Sequence, residues 1–177
     1  MRRVFVALQL PETVQYQLET IQCGLPNVRW ARPENLHISL AFLGEISEPA
    51  LEDAHSALST LQADAFRLTL RGVGQFGEGK PRAVWVGVEP SIPLIFLQEK
   101  VETSLRRAGL SLKARKFHPH VTLARGRSST PAQIGQYLER QGLFSSPEFS
   151  IKGFHLMESI LKPAGPLYLS LADYPLA

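Results

Sequence analysis

The chain alternates between stretches with strand periodicity and stretches with helix periodicity. Residues 4–8, Val-Phe-Val-Ala-Leu, form an apolar run of strand length. Pro11 stops it and opens a helix, with Val14, Leu18 and Ile21 recurring on one face. A loop with Gly24 and Pro26 follows, and Trp30 leads into a strand over 36–43 that Gly44 ends. Pro49 opens a second helix with Leu51, Ala54, Leu58 and Leu61 inward, and 66–70 alternates as a strand.

A similar order then begins again. Residues 83–88 read as a buried strand, and Pro90 and Pro93 end it. A helix follows with Leu94, Leu97, Val101 and Leu105 inward and Gly109 as terminator. A strand at 121–123 ends at Gly126, and Thr130-Pro131 supplies a cap and a first position for the next helix. Strands over 149–157 and 167–171 complete the chain. The pattern predicts an α+β fold made of a duplicated unit: two similar lobes of mostly antiparallel sheet, flanked by helices. The repeat halves are about 1–76 and 81–158 of one domain, joined by a hairpin loop at Gly77-Glu78-Gly79-Lys80, with a closing C-terminal strand.

With 177 residues, 44% of them hydrophobic, one domain can build a sizeable core. Cys23 is the only cysteine, which excludes an internal disulfide and a multi-cysteine metal site. It reads as a half-buried thiol in a reducing, cytoplasmic setting. The apolar run after Arg2-Arg3 is too short for a signal peptide, and no segment is long enough to span a membrane, so no membrane partner is expected. Net charge is only +3, which permits an anionic partner without requiring one.

The chemistry concentrates in a repeated tetrapeptide, His37-Ile38-Ser39-Leu40 and His120-Val121-Thr122-Leu123. In a strand, residues i and i+2 share a face ~6.6–6.8 Å apart. His37 and Ser39 therefore project together, as do His120 and Thr122, while the residues between them enter the core. Two imidazoles that titrate near neutrality can divide general base and general acid work between them, one neutral and one protonated. Two hydroxyls can donate to oxygens where charge develops. This set suits phosphodiester cleavage without metal. Seven of the 19 basic residues (Arg106, Arg107, Lys113, Arg115, Lys116, Arg125, Arg127) surround the second motif, with no Asp or Glu among them. Arg125, five residues after His120, has the planar fork for a phosphate, and Arg127 reads as peripheral. Phe42, five after His37, is either a stacking platform for a base or a core side chain. His118 with His120 could form a metal pair, but the segment offers no further ligand, so His118 reads as an orienting residue. His55 and His155 read as surface or satisfied core histidines.

The segments Leu36 to Gly44 and Phe117 to Arg125 closely resemble the two signatures of the 2H phosphoesterases, and the opening Arg3 to Leu8 with Pro11 resembles the RNA 2′,3′-cyclic phosphodiesterase (2′-5′ RNA ligase-like) group within them. The resemblance spans essentially the whole chain. It implies a bilobal fold and hydrolysis of RNA or nucleoside 2′,3′-cyclic phosphates to 2′-phosphomonoesters, without a cofactor or metal. It further implies His37 as proton donor, His120 as proton acceptor, and Ser39, Thr122 and Arg125 as phosphate contacts. Ser39 departs from the commoner Thr but keeps the hydroxyl. The expected partners are RNA 3′ ends or cyclic nucleotides, with no obligate protein partner and a monomeric chain. A 2′-5′ RNA ligase, a non-catalytic RNA-end binder and a metallohydrolase using His118 and His120 stand as alternatives.

Overall fold

The computed structural model describes residues 1–77, 80, 82–126 and 129–177. Arg127, and Glu78 and Gly79 of the expected hairpin loop at 77–80, fall outside the described residues. In chain order the elements are β1 (Arg2–Gln9), α1 (Glu12–Glu19), β2 (Arg29–Trp30), β3 (His37–Ile46), α2 (Glu48–Ser59), β4 (Phe66–Leu68), β5 (Leu70–Phe76), β6 (Ala83–Val88), α3 (Ile92–Arg107), β7 (His120–Arg125), α4 (Pro131–Gln141), β8 (Phe149–Ile151), β9 (Gly153–Lys162) and β10 (Gly165–Pro175).

The helices begin where the sequence places the means to begin them. Ser47, Ser91 and Thr130 each accept a hydrogen bond from a first-turn amide of α2, α3 and α4, with proline at a first position behind each. Thr130 and Gln133 cap α4 reciprocally. Gly109 adopts a left-handed φ of 90° just after α3, the conformation that ends a helix at low cost. Gly44 behaves differently from a terminator. Its φ of 76° lies within β3, which continues to Ile46, and the β1–β3 register shifts there between Val4 and Phe5. A left-handed glycine here makes a bulge, which bends the strand without ending it.

All strand pairings are antiparallel. One sheet runs β10-β9-β1-β3-β7-β6-β5, with β2 on the β7 edge, and β4 pairs with β8 in a second sheet. The α+β architecture with two antiparallel sheets agrees with the sequence expectation. The expected strand 66–70 is divided between β4 and β5, and 149–157 between β8 and β9. The two halves pair at several places, β1 with β9 and β2 with β7 among them, and at two of these contacts equivalent positions meet. Ile38 pairs with Val121, and Arg67 with Ser150. Both pairs have the same 83-residue separation as the motif histidines, so equivalent residues of the two halves face each other across a pseudo-two-fold axis.

Helices cover one face of the large sheet. Val14 and Leu18 of α1, Ala54 and Leu58 of α2, Leu94, Leu97, Val101 and Leu105 of α3 and Ile134 and Tyr137 of α4 pack there with Val4, Val6, Leu8, Ile38, Leu40, Val121 and Leu123. The opposite face holds a small cluster of Phe5, Ala7 and Met157 with Tyr168 against it. Strand alternation sends His37, Ser39, His120 and Thr122 to this open face, because Ile38, Leu40, Val121 and Leu123 are taken by the core.

Candidate active site

β3 and β7 touch through a single residue pair, Ile38 with Val121, whereas β1 and β3 pair from Arg2 to Gln9. Beyond that point the strands diverge. The β7 edge is taken by β2, with Arg29 opposite Arg125 and Trp30 opposite Ala124. The gap so opened is the cleft. At its narrow end, antiparallel geometry about the Ile38–Val121 pair sets His37 across from Thr122 and Ser39 across from His120. Imidazoles and hydroxyls thus alternate around one small square, and all four side chains are half-buried.

Both imidazoles are fixed in the same way. His37 Nδ1 lies 2.6 Å from the Asn35 carbonyl oxygen, and His120 Nδ1 lies 2.6 Å from that of His118. A carbonyl only accepts, so each ring donates from Nδ1 and keeps Nε2 for the cleft. His37 Nε2 is 3.1 Å from Ser39 Oγ, which donates to it when the ring is neutral. Asn35 is itself buried, and its Nδ2 donates to the Pro166 carbonyl at 2.9 Å. The anchor of His37 is thereby tied to the start of β10. His118 plays the orienting role expected of it through its carbonyl.

The surroundings of the two rings differ. His37 lies against Phe5 (centroids 5.1 Å apart) and meets the Tyr168 ring edge-on at 5.2 Å. His120 lies against Phe76 at 4.8 Å, with Trp85 and His118 behind it. Burial pushes the His37 imidazole down to about 4, against the opposing pull of the Asn35 carbonyl, and the charges of Arg125 and His120 add to the lowering. Burial also lowers His120, opposed by the His118 carbonyl and reinforced by His118 and Arg125. Both shifts favour the neutral imidazole at pH 7, because a cationic ring here lacks solvent and faces other cations.

Arg125 lies on the rim of the same face, exposed, close enough that its charge lowers His37 and His120 and opposes the burial that raises the Tyr168 phenol. Phe42 is 58% exposed and stacks on Phe5 at 5.9 Å, which removes the core reading. Cys23 is exposed, not half-buried, because it follows α1 in an open turn. His55 bonds the Tyr174 hydroxyl at 2.9 Å, and His155 bonds Asp173 at 2.6 Å; both have structural partners. Among the described residues no three His, Cys, Asp or Glu side chains gather in a metal-binding group. No helix is long and apolar enough to cross a membrane.

Phe5, Tyr168, Phe76, Trp85 and Arg29 were not singled out from the sequence. Phe5 and Trp85 were assigned to strands, and their alternation with core residues such as Val4, Val6, Val84 and Val86 was the available signal. Tyr168 could not have been placed beside His37 without knowing that β10 folds back on β9.

Residues 10–162 match the model of the 2′-5′ RNA ligase superfamily. A protein of Archaeoglobus fulgidus named RNA 2′,3′-cyclic phosphodiesterase is 32% identical over 173 residues, 96% of this chain and 97% of its own length. A crystal structure from Thermus thermophilus superposes with a TM-score of 0.82 at 29% identity, covering 98% of this chain and 97% of that one. LigT of E. coli, in complex with 3′-AMP, superposes with a TM-score of 0.82 at 27% identity, covering 99% and 98%. With its fold, its paired motif strands and these relatives, the chain belongs to the 2′-5′ RNA ligase superfamily.

Proposed function

We propose that this protein is an RNA 2′,3′-cyclic phosphodiesterase, a hydrolase that opens the cyclic phosphate at an RNA or nucleoside end to leave a 2′-phosphomonoester, without metal. The observation that carries this reading is the pairing of equivalent residues Ile38 and Val121, which brings both His-x-Ser/Thr motifs to one cleft, each imidazole anchored through Nδ1 and left with Nε2 for the substrate side. The relatives' names support the substrate class. We also assign the whole chain, 1–177, to one domain of two repeat halves.

In this mechanism the substrate's own negative charge offsets the penalty that keeps the free cleft neutral, and His37 takes up a proton when the phosphate binds. Ser39 then turns its hydroxyl from His37 Nε2 toward a non-bridging oxygen. Thr122 and Arg125 contact the same phosphoryl group. His120 Nε2 removes a proton from the attacking water as its oxygen bonds to phosphorus. The P–O3′ bond breaks, and His37 Nε2–H delivers its proton to O3′. Phe42 offers an exposed ring for a base.

The test is incubation with 2′,3′-cyclic AMP in excess EDTA. Turnover to 2′-AMP is expected. A 3′-AMP product would mean that the acid serves O2′ instead. Loss of activity in EDTA would favour a metal site at His118 and His120, and tight binding without turnover would favour an RNA-end binder. Ligation of 2′-5′ ends is a related displacement run in reverse, and incubation of 5′-hydroxyl and cyclic-phosphate RNA ends would reveal it.

A further inference from the structure

Arg29 stands directly opposite Arg125 in the β2–β7 pairing, and both are exposed. Residues directly opposite in an antiparallel pair share a face, and like charges in that position repel. Four other arginines are paired with carboxylates: Arg2 with Glu48 and Glu158, Arg67 with Glu148, Arg71 with Glu89 and Arg106 with Glu102; what sets Arg29 and Arg125 apart is that they stand directly opposite each other. Among the described residues neither Arg29 nor Arg125 has a carboxylate within 4 Å or a side-chain hydrogen bond. Two arginines thus stand opposite each other at the cleft with their donors unspent.

The two differ in depth. Arg125 is near enough to depress both motif histidines, whereas Arg29 does not figure among the groups acting on them. The Arg29 side chain passes instead along Gly165 at the start of β10, where an added Cβ would come 3.7 Å from Arg29 Cδ. Arg29 thus sits one strand spacing, about 5 Å, from Arg125, with its side chain running toward the start of β10.

We propose that Arg29 is a second phosphate site, which takes the phosphodiester next to the cyclic end and so makes the protein prefer a single-stranded oligoribonucleotide over a mononucleotide. This rests on the proposed cyclic phosphodiesterase reading. Arg125 serves the reacting phosphate, and Arg29 holds the following link of the backbone. The opposed charges that are unfavourable in the free protein become favourable once anions lie between and beside them.

The experiment compares wild type with Arg29→Gln and Arg29→Lys on 2′,3′-cyclic AMP and on a short RNA ending in a 2′,3′-cyclic phosphate. Arg29→Gln is expected to lower kcat/KM on the RNA roughly tenfold and to leave the mononucleotide rate unchanged, since a charge-assisted contact is lost only with the longer substrate. In parallel, fluorescence anisotropy follows binding of the same RNA carrying a 2′-phosphate end. The slope of log affinity against log salt should become shallower by about 0.7 in Arg29→Gln, the contribution of one single-strand phosphate, and Arg29→Lys should restore it. Equal loss on both substrates would place Arg29 at the reacting phosphate and overturn the proposal, as would an unchanged salt slope. If wild type turned over neither substrate, the cyclic phosphodiesterase reading would fall, while the salt slope would still decide whether Arg29 binds a phosphate.

Discussion

His37 and His120 hold their Nδ1 atoms by the same bond to the carbonyl two residues earlier, yet His37 is the more strongly perturbed. The motif itself was legible because its spacing in a strand forces the histidine and hydroxyl onto one face. Their protonation was not legible, because it depends on Phe5, Tyr168 and Arg125 around the ring. The lowered His37 has a consequence for stability. An imidazole in the unfolded chain titrates near ~6.5, and in the folded chain at about 4. Between those values the unfolded chain binds the extra proton, so stability falls as pH drops through this window and is recovered as pH rises. His37→Gln lacks this penalty. From pH 7 to pH 5 the melting temperature of wild type should therefore fall further than that of His37→Gln; parallel curves would show that His37 is not held neutral. Arg125→Ala should weaken substrate binding and catalysis together, by tenfold or more in kcat/KM at constant salt, since its charge-assisted contact is present before and during the displacement.

Among the elements, the helices were the most legible. Their inward residues recur at helical spacing, and the starts of α2, α3 and α4 carry Ser or Thr with proline, whereas α1 follows Pro11 alone. The strands were legible as strands but not in their bounds, since a glycine can end a strand or bulge it, and only pairing distinguishes the two. Gly44 bulges β3; Gly126 does follow the end of β7. A different glycine shapes the site. A Cβ on Gly74 of β5 would come 2.3 Å from the Trp85 ring, which lies over it on β6 and reaches His118 at 4.8 Å. A rigid indole cannot give way by that much in place. Gly74→Ala should therefore displace Trp85, cost about 1–3 kcal/mol of stability, and slow turnover by loosening the wall behind His120. Urea denaturation and steady-state kinetics would check this, and an unchanged midpoint would show that the indole is free to move aside.

For the whole molecule, the repeat read from the sequence became a physical axis. Ile38 meets Val121 and Arg67 meets Ser150, equivalent positions in contact. The axis makes the histidine pair symmetric, and what lies off it makes the cleft directional. β10 has no counterpart in the first half, and through Pro166 and Tyr168 it closes around His37 alone. No local pattern encodes that closure, because it joins residues more than 130 positions apart. A symmetric pair divided into donor and acceptor is the centre of this account, and such a pair acts as a unit. The most direct measurement is the turnover of 2′,3′-cyclic AMP by His37→Ala, His120→Ala and the double variant, each shown to be folded by its circular dichroism. Each single change should reduce kcat at least ~10²-fold, and the double variant should be much less impaired than the product of the two losses, since either loss alone already disables the pair. A folded single variant with the wild-type rate would contradict the account.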